Sequence, residues 1–264
     1  MLKNLLNMEK LLEIARVSYR IYRTNDFDPS SAEYRLYILK RVAKLVIPEY
    51  RFKWPQMDWW NDEAFTKYLQ KFDELEGNNS DRRFAVSQII RLTSQIEGDT
   101  AEVGVYCGAM SWIILNSNCG RGHHIFDSFE GLSRPSSFDG NHWSEGVLAC
   151  SEEAVHRNLM EFEGQYTCYK GWVPQRFGEV ENLRFSFVHI DVDLYEPTKD
   201  SISFFYDRLN AGGIIVCDDY GFTTCPGATR ACNEFLENKP EKMIALSGGG
   251  GFLIKDCNVA TSHL

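Results

Sequence analysis

Between Thr100 and Lys255, short runs of strand-forming residues alternate with stretches of helical length, and this alternation restricts the chain to an α/β architecture more tightly than any other feature. The strand candidates are Thr100 to Tyr106, His124 to Asp127, Tyr166 to Tyr169, Phe185 to Asp191, Gly213 to Asp218, Met243 to Leu246 and Gly251 to Lys255. Helices fit around 109–117, 151–162, 197–208 and 227–238. Right-handed crossovers turn such units into a doubly wound sheet. The final two strands are joined only by Ser247 to Gly250, too short for a helical crossover, so the spacing predicts an antiparallel pair there.

Upstream, leucines and isoleucines at helical spacing predict helices over 5–22 and 34–47, the second stopped by Pro48. An aromatic stretch follows from Tyr50 to Trp60, suited to packing and compatible with a substrate lid or a homodimer contact. The polar segment Glu76 to Asp81 reads as a linker ending in helix N-cap residues. It divides the chain into an N-terminal helical extension, 1–78, and an α/β domain, 79–264. A helix from Arg82 to Ile96 is expected to bury Phe84, Ile89, Leu92 and Ile96.

The net charge of −9 argues against nucleic acid as the main partner, because phosphate binding needs a basic face. The eight cysteines show no zinc-type spacing and read as thiols in a reducing compartment. No apolar run approaches a membrane span, and the N-terminus, with Asn4, Glu9 and Glu13 among its leucines, does not read as a signal peptide. The expectation is a cytoplasmic protein with no membrane partner.

Two strand candidates end in carboxylate pairs. Phe185 to Ile190 runs into Asp191 and Asp193, and Ile214 to Cys217 runs into Asp218 and Asp219. One such pair alone is often a helix cap or a solvated turn. Two of them at the ends of apolar strands point to a metal site at the mouth of a sheet. Crowded carboxylates repel unless a cation compensates, and hard oxygen donors favour Mg²⁺, with Ca²⁺ or Mn²⁺ as substitutes. His189, mid-strand, reads as a core histidine rather than a ligand. Glu102 to Ala109 places Gly104 and Gly108 at a strand-to-helix turn, where glycine lets a ligand approach the backbone. This is not the dinucleotide fingerprint, because Tyr106 occupies a position that would need glycine. Glu102 suits an α-ammonium group, and Asp127, closing the next strand, stands where a ribose diol is usually held.

The segments Glu102 to Gly108, Phe126 to Gly131, Lys170 to Phe177, His189 to Ser201 and Gly212 to Gly221 together resemble the macrocin O-methyltransferase family. The family comprises metal-requiring enzymes that use S-adenosylmethionine to methylate sugar hydroxyls in antibiotic biosynthesis. The resemblance implies a Rossmann-like sheet of seven strands with the last one reversed. It also implies cofactor contacts from Glu102, Gly104, Tyr106, Gly108, Asp127 and Ser128, with adenine beside Gly171 and Trp172. Metal ligands match Asp191, Asp218 and Asp219, and Asp193 matches the general base. Many members carry arginine or lysine where this chain has Cys107.

The implied chemistry is methyl transfer to one hydroxyl of a vicinal diol on a small-molecule or glycosylated acceptor. Chelation lowers the hydroxyl pKa, and a carboxylate takes the proton. The long segment Ser133 to Cys150 reads as a lid, with His142 a candidate substrate contact. A nucleotide-sugar glycosyltransferase using Asp191 and Asp193, and a non-catalytic module on the same fold, are the competing readings.

Overall fold

The computed structural model describes residues 62–72, 80–117 and 121–257, with residues 12, 15, 16, 19, 38, 39 and 43 individually. The helices expected over 5–22 and 34–47, the aromatic stretch and the linker before Ser80 lie outside the described residues, those single positions apart. The chain forms two compact units, residues 1–66 and 67–264. Helix α1 (Glu63–Lys71) starts in the first, where the carboxylate of Asp62 caps it by accepting the Phe65 N–H at 2.8 Å.

The second unit is the α/β domain. In order it contains α2 (Ser80–Ile89), β1 (Asp99–Val103), α3 (Ala109–Ser117), β2 (His123–Asp127), α4 (Glu152–Asn158) and β3 (Tyr166–Lys170). Then come β4 (Phe185–Ile190), α5 (Tyr195–Arg208), β5 (Leu209–Cys217), α6 (Pro226–Leu236), β6 (Ile244–Ala245) and β7 (Gly251–Ile254). The seven strands lie in the order β3-β2-β1-β4-β5-β7-β6. The first five are parallel, and β7 inserts antiparallel between β5 and β6, as the short link requires. Every residue of β4 is buried, as expected of the strand at the middle of a sheet covered on both faces. Phe205 of α5 meets Phe126, Phe177 and Phe185 edge-on, with ring centroids 5.1 to 5.8 Å apart.

One expected core residue is on the outside. Leu92 is 62% exposed, because α2 tightens after Ile89 into a 3₁₀ turn, Ile90–Thr93. Three residues per turn rotate the following side chains away from α-helical positions, and Thr93 takes the buried place instead.

Register aligns the strand ends. Val103 pairs with Phe126 on one side and with Ile190 on the other, and Ile190 pairs with Cys217. The residues that follow these four, Gly104, Asp127, Asp191 and Asp218, therefore stand in one row along the C-terminal edge of the sheet. The row spans the break between β1 and β4, where the strand order reverses and α/β sheets open a crevice.

Candidate functional site

A cavity of about 520 Å³ opens over this row. Eight carboxylates line it (Glu102, Asp127, Asp191, Asp193, Glu196, Asp200, Asp218 and Asp219) against two guanidinium groups, Arg82 and Arg83. The imbalance favours ligands that carry positive charge.

At the β1 end Gly104 has no room for a side chain. Gly104 has φ +82°, and a Cβ there would stand 1.9 Å from the Asp191 carbonyl oxygen. Tyr106 also takes a left-handed conformation, and the turn is pinned by Asp127, whose Oδ2 accepts the N–H of Val105 at 2.7 Å and of Tyr106 at 3.3 Å. Asp127 Oδ1 accepts the Phe129 N–H at 2.7 Å. Burial nevertheless pushes the Asp127 carboxyl upward, against the pull of those N–H groups. Ser128 spends its hydroxyl on its own turn, donating to the Gly131 carbonyl at 3.1 Å. Gly108, also left-handed, lies off the cavity against Val155 and Leu159. Gly171 is tied to β2 through its N–H to the Asp127 carbonyl at 2.9 Å, and its neighbour Trp172 faces the cavity. Cys107 lies outside the lining, its sulfur 2.8 Å from that of Cys150, both free thiols.

Glu102 is buried on β1, accepting the Ser111 hydroxyl. His189, fully buried on β4, sits between it and the metal-type residues: its Nδ1 is 3.5 Å from Glu102 and its Nε2 3.4 Å from Asp218. Burial alone would strip the proton from His189, but hydrogen bonding to Asp218 and Glu102 raises its pKa to about 9. Its raised pKa favours the charged form at neutral pH, and its place between Glu102 and Asp218 links the β1 loop to the carboxylate cluster.

That cluster divides into two groups of donor atoms, each within 4.8 Å: His189, Asp191 and Asp218, and Asp193, Asp219 and Cys225. Arg82 reaches Asp218 at 3.0 Å, and Arg83 reaches Asp218 at 3.3 Å and Asp191 at 3.5 Å. Burial opposes ionisation of Asp218, yet Arg83, His189 and Arg82 together hold its carboxyl well below the usual range. Its neighbours go the other way. Burial and the charge of Asp218 push Asp191 up to about 7, and burial pushes Asp193 up to about 6. Asp219 rises well above the usual range through burial and its proximity to the other three. The two arginines thus neutralise Asp218 and leave the rest of the cluster crowded. The four carboxylates, so crowded that three are pushed toward protonation, offer oxygen donors that fit a hard divalent cation, with the His189 nitrogen and the Cys225 sulfur beside them.

Asp193 sits at φ +59°, its N–H donated to Asp219 Oδ2 at 2.7 Å and its Oδ1 accepting the Cys225 thiol at 3.4 Å. The segment expected as a lid is anchored by buried Asp139, which accepts the Tyr195 N–H at 2.6 Å and so caps α5 from a distance. From that segment Trp143 and Leu148 line the cavity, whereas His142 is exposed, edge-on to Trp143 and outside the lining.

Sequence reasoning overlooked Arg82, Arg83, Asp139 and Cys225, and in the lid segment it singled out His142 where Trp143 lines the cavity. A signal existed for the arginines. They fall in the first turn of α2, the positive end of the helix dipole, where cations are misplaced unless they face anions.

The raised groups fix a pH dependence for protein kept in chelator. Asp191, from an ordinary 3.8 to about 7, and His189, from 6.5 to about 9, contribute stability that is complete below the unfolded values and lost as pH rises through the folded ones. Depressed Asp218 acts oppositely, its contribution lost only in acid. The thermal midpoint is therefore expected to fall from about pH 5 to about pH 9, with His189→Gln flattening the upper part. A midpoint that climbs steadily to pH 9 would contradict these assignments.

A model of the macrocin-O-methyltransferase (TylF) family matches residues 81–245. The chain is 28% identical over 153 residues to the 8-demethyl-8-(2,3-dimethoxy-alpha-L-rhamnosyl)-tetracenomycin-C 4'-O-methyltransferase of Streptomyces olivaceus, covering 52% of this chain and 58% of that protein. It is 28% identical over 157 residues to the demethyldecarbamoylnovobiocin O-methyltransferase of Streptomyces niveus, covering 54% and 59%. The chain thus spans about three fifths of the length of these curated relatives. Among solved structures, the calicheamicin methyltransferase CalS11 superposes with a TM-score of 0.61 at 19% identity, covering 88% of this chain and 96% of that one. The O-methyltransferase NovP gives 0.51 at 24% identity, covering 66% and 78%. At these identities the two structures speak for the fold alone.

Proposed function

The chain belongs to the macrocin O-methyltransferase family, and from that premise we propose that it transfers the methyl group of S-adenosylmethionine to a hydroxyl of a vicinal diol, on a sugar of a glycosylated natural product or polysaccharide. The observation that carries this reading is the single cavity in which the Gly104 turn and all four aspartates of the two strand-end pairs face one another. Both curated relatives bear O-methyltransferase names, one specifying a rhamnosyl-bearing compound. The glycosyltransferase alternative is not supported: the family match and both relatives are O-methyltransferases.

In this reading the Gly104 turn, with Val105 and Tyr106 lining the cavity beside it, admits the methionine part of the cofactor, with Glu102 toward its ammonium group. Asp127 and Ser128 flank the ribose, and Trp172 flanks the adenine. S-adenosylmethionine supplies an electrophilic methyl on a sulfonium, a cation suited to a cavity with this carboxylate excess. Asp191, Asp218 and Asp219 would hold Mg²⁺, which when bound supplies Lewis acidity toward the acceptor oxygens. Asp193, with its pKa raised to about 6, is ionised at neutral pH yet basic enough to take the hydroxyl proton. Trp143 and Leu148 cover the cavity and limit water.

The test is direct. Purified protein is titrated calorimetrically with S-adenosylmethionine, then incubated with cofactor, Mg²⁺ and a panel of glycosides. The expected products are one CH₂ heavier, made only with Mg²⁺ and lost in chelator. Methyl transfer undiminished by chelator would remove the metal from the proposal, and absence of cofactor binding would remove the proposal itself.

A further inference from the structure

A second group of metal-type donors lies away from the cavity, on the edge of the sheet. Glu152 and His156 are one turn apart on α4, and both approach Cys168 of the edge strand β3. One carboxylate oxygen, one imidazole nitrogen and the thiol sulfur all lie within 4.8 Å of one another. None of the three lines the cavity.

We propose that Glu152, His156 and Cys168 bind a Zn²⁺ ion at a site separate from the carboxylate cluster. The donors differ in kind from those of the cavity. A mixed oxygen, nitrogen and sulfur set at this spacing selects a borderline ion of the zinc type and discriminates against Mg²⁺, which takes oxygen. The histidine is held for the purpose. Its Nδ1 is 2.8 Å from the Tyr166 hydroxyl and its ring stacks on the Tyr166 ring at 5.7 Å, which holds the ring; when Nδ1–H donates to that hydroxyl, Nε2 is the free ligand atom. Nε2 stands 3.8 Å from Glu152 Oε1, while Lys170 approaches the other oxygen of Glu152 at 3.8 Å. Three protein donors leave a fourth tetrahedral position for water.

The ion would tie α4 to β3, and both elements border the cofactor end of the cavity. From α4 and its C-cap, Val155 and Leu159 stand 3.5 and 3.4 Å from where a Cβ of Gly108 would be, and Asn158 donates to the Cys107 carbonyl at 2.8 Å. From β3 the chain runs on to Trp172 in the cavity wall.

The experiment uses the full chain, stripped with chelator and returned to saturating Mg²⁺ so that the carboxylate cluster is not available to the probe. Co²⁺ is then titrated in as a spectroscopic substitute for Zn²⁺. The expected result is a near-ultraviolet thiolate-to-cobalt charge-transfer band that Zn²⁺ bleaches. It should disappear in Cys168→Ser and persist in Cys225→Ser, whose thiol belongs to the cavity cluster. His156→Ala and Glu152→Gln should each weaken Zn²⁺ binding by at least about tenfold, and Tyr166→Phe, which removes only the outer hydrogen bond, by about tenfold. These three keep the thiol, so the proposal does not depend on how well Cys168→Ser folds. A band that survives Cys168→Ser, one that disappears in Cys225→Ser, or no band at all, would overturn it.

Discussion

Asp218→Asn is expected to destabilise the metal-free protein by about 3–5 kcal/mol, read as a lower midpoint in urea unfolding with an unchanged slope. The side chain of Asp218 is 2% exposed and stands within 3.4 Å of three cationic groups, Arg82, Arg83 and His189. Removing its charge takes from Arg82, Arg83 and His189 the one carboxylate that all three approach, and Asp191, partly protonated, does not replace it. The same substitution made at Asp191 should behave oppositely. Asp191 holds its proton to about pH 7 because burial and Asp218 penalise its charge. Asp191→Asn should therefore leave the metal-free protein as stable as the parent, or more so, at pH 8. Both variants should lose Mg²⁺ affinity by calorimetry, so stability and metal binding separate. A loss of only roughly 1 kcal/mol in Asp218→Asn, the scale of a surface pair, would mean that the arginines are solvated and do not depend on it.

Asp193→Asn is expected to lower kcat by about 10²–10⁴ with cofactor affinity unchanged, as removal of a general base requires. Asparagine is the appropriate replacement because Asp193 sits at φ +59°, a region that Asp and Asn tolerate and most residues do not. The Asp193 N–H can keep its bond to Asp219, and the amide can still accept the Cys225 thiol, so the change removes basicity while preserving shape. In the parent, kcat should rise with pH through the ionisation of Asp193, below the value of about 6 that burial sets in the metal-free protein because a bound cation favours the carboxylate, a limb that Asp193→Asn should lack. Full turnover in Asp193→Asn would show that proton removal falls to another group or to solvent.

The strand-helix alternation, the reversed final strand and the two carboxylate pairs could be read from the chain because each is written in local residue order. Strands of apolar residues ending in aspartate need no knowledge of their neighbours. Gly104 was likewise legible as a turn glycine, although only the fold shows what forbids a side chain there, the Asp191 carbonyl of a strand far along the sequence. Leu92 and His142 mark where local pattern fails. A helix that tightens by one turn and a loop anchored by Asp139 each reorient side chains without changing the residues' character.

The sequence by itself therefore determined which elements form and which chemistry they carry to their ends. Tertiary structure decided what those ends meet. The placing of β1 beside β4, and the register that levels Gly104, Asp127, Asp191 and Asp218, arise from crossovers and pairing between distant segments. The same holds for Arg82 and Arg83, whose charge is plain in the sequence. Their partners are fixed only when α2 packs over the edge of the sheet and the buried carboxylates, unable to stay ionised alone, acquire cations there.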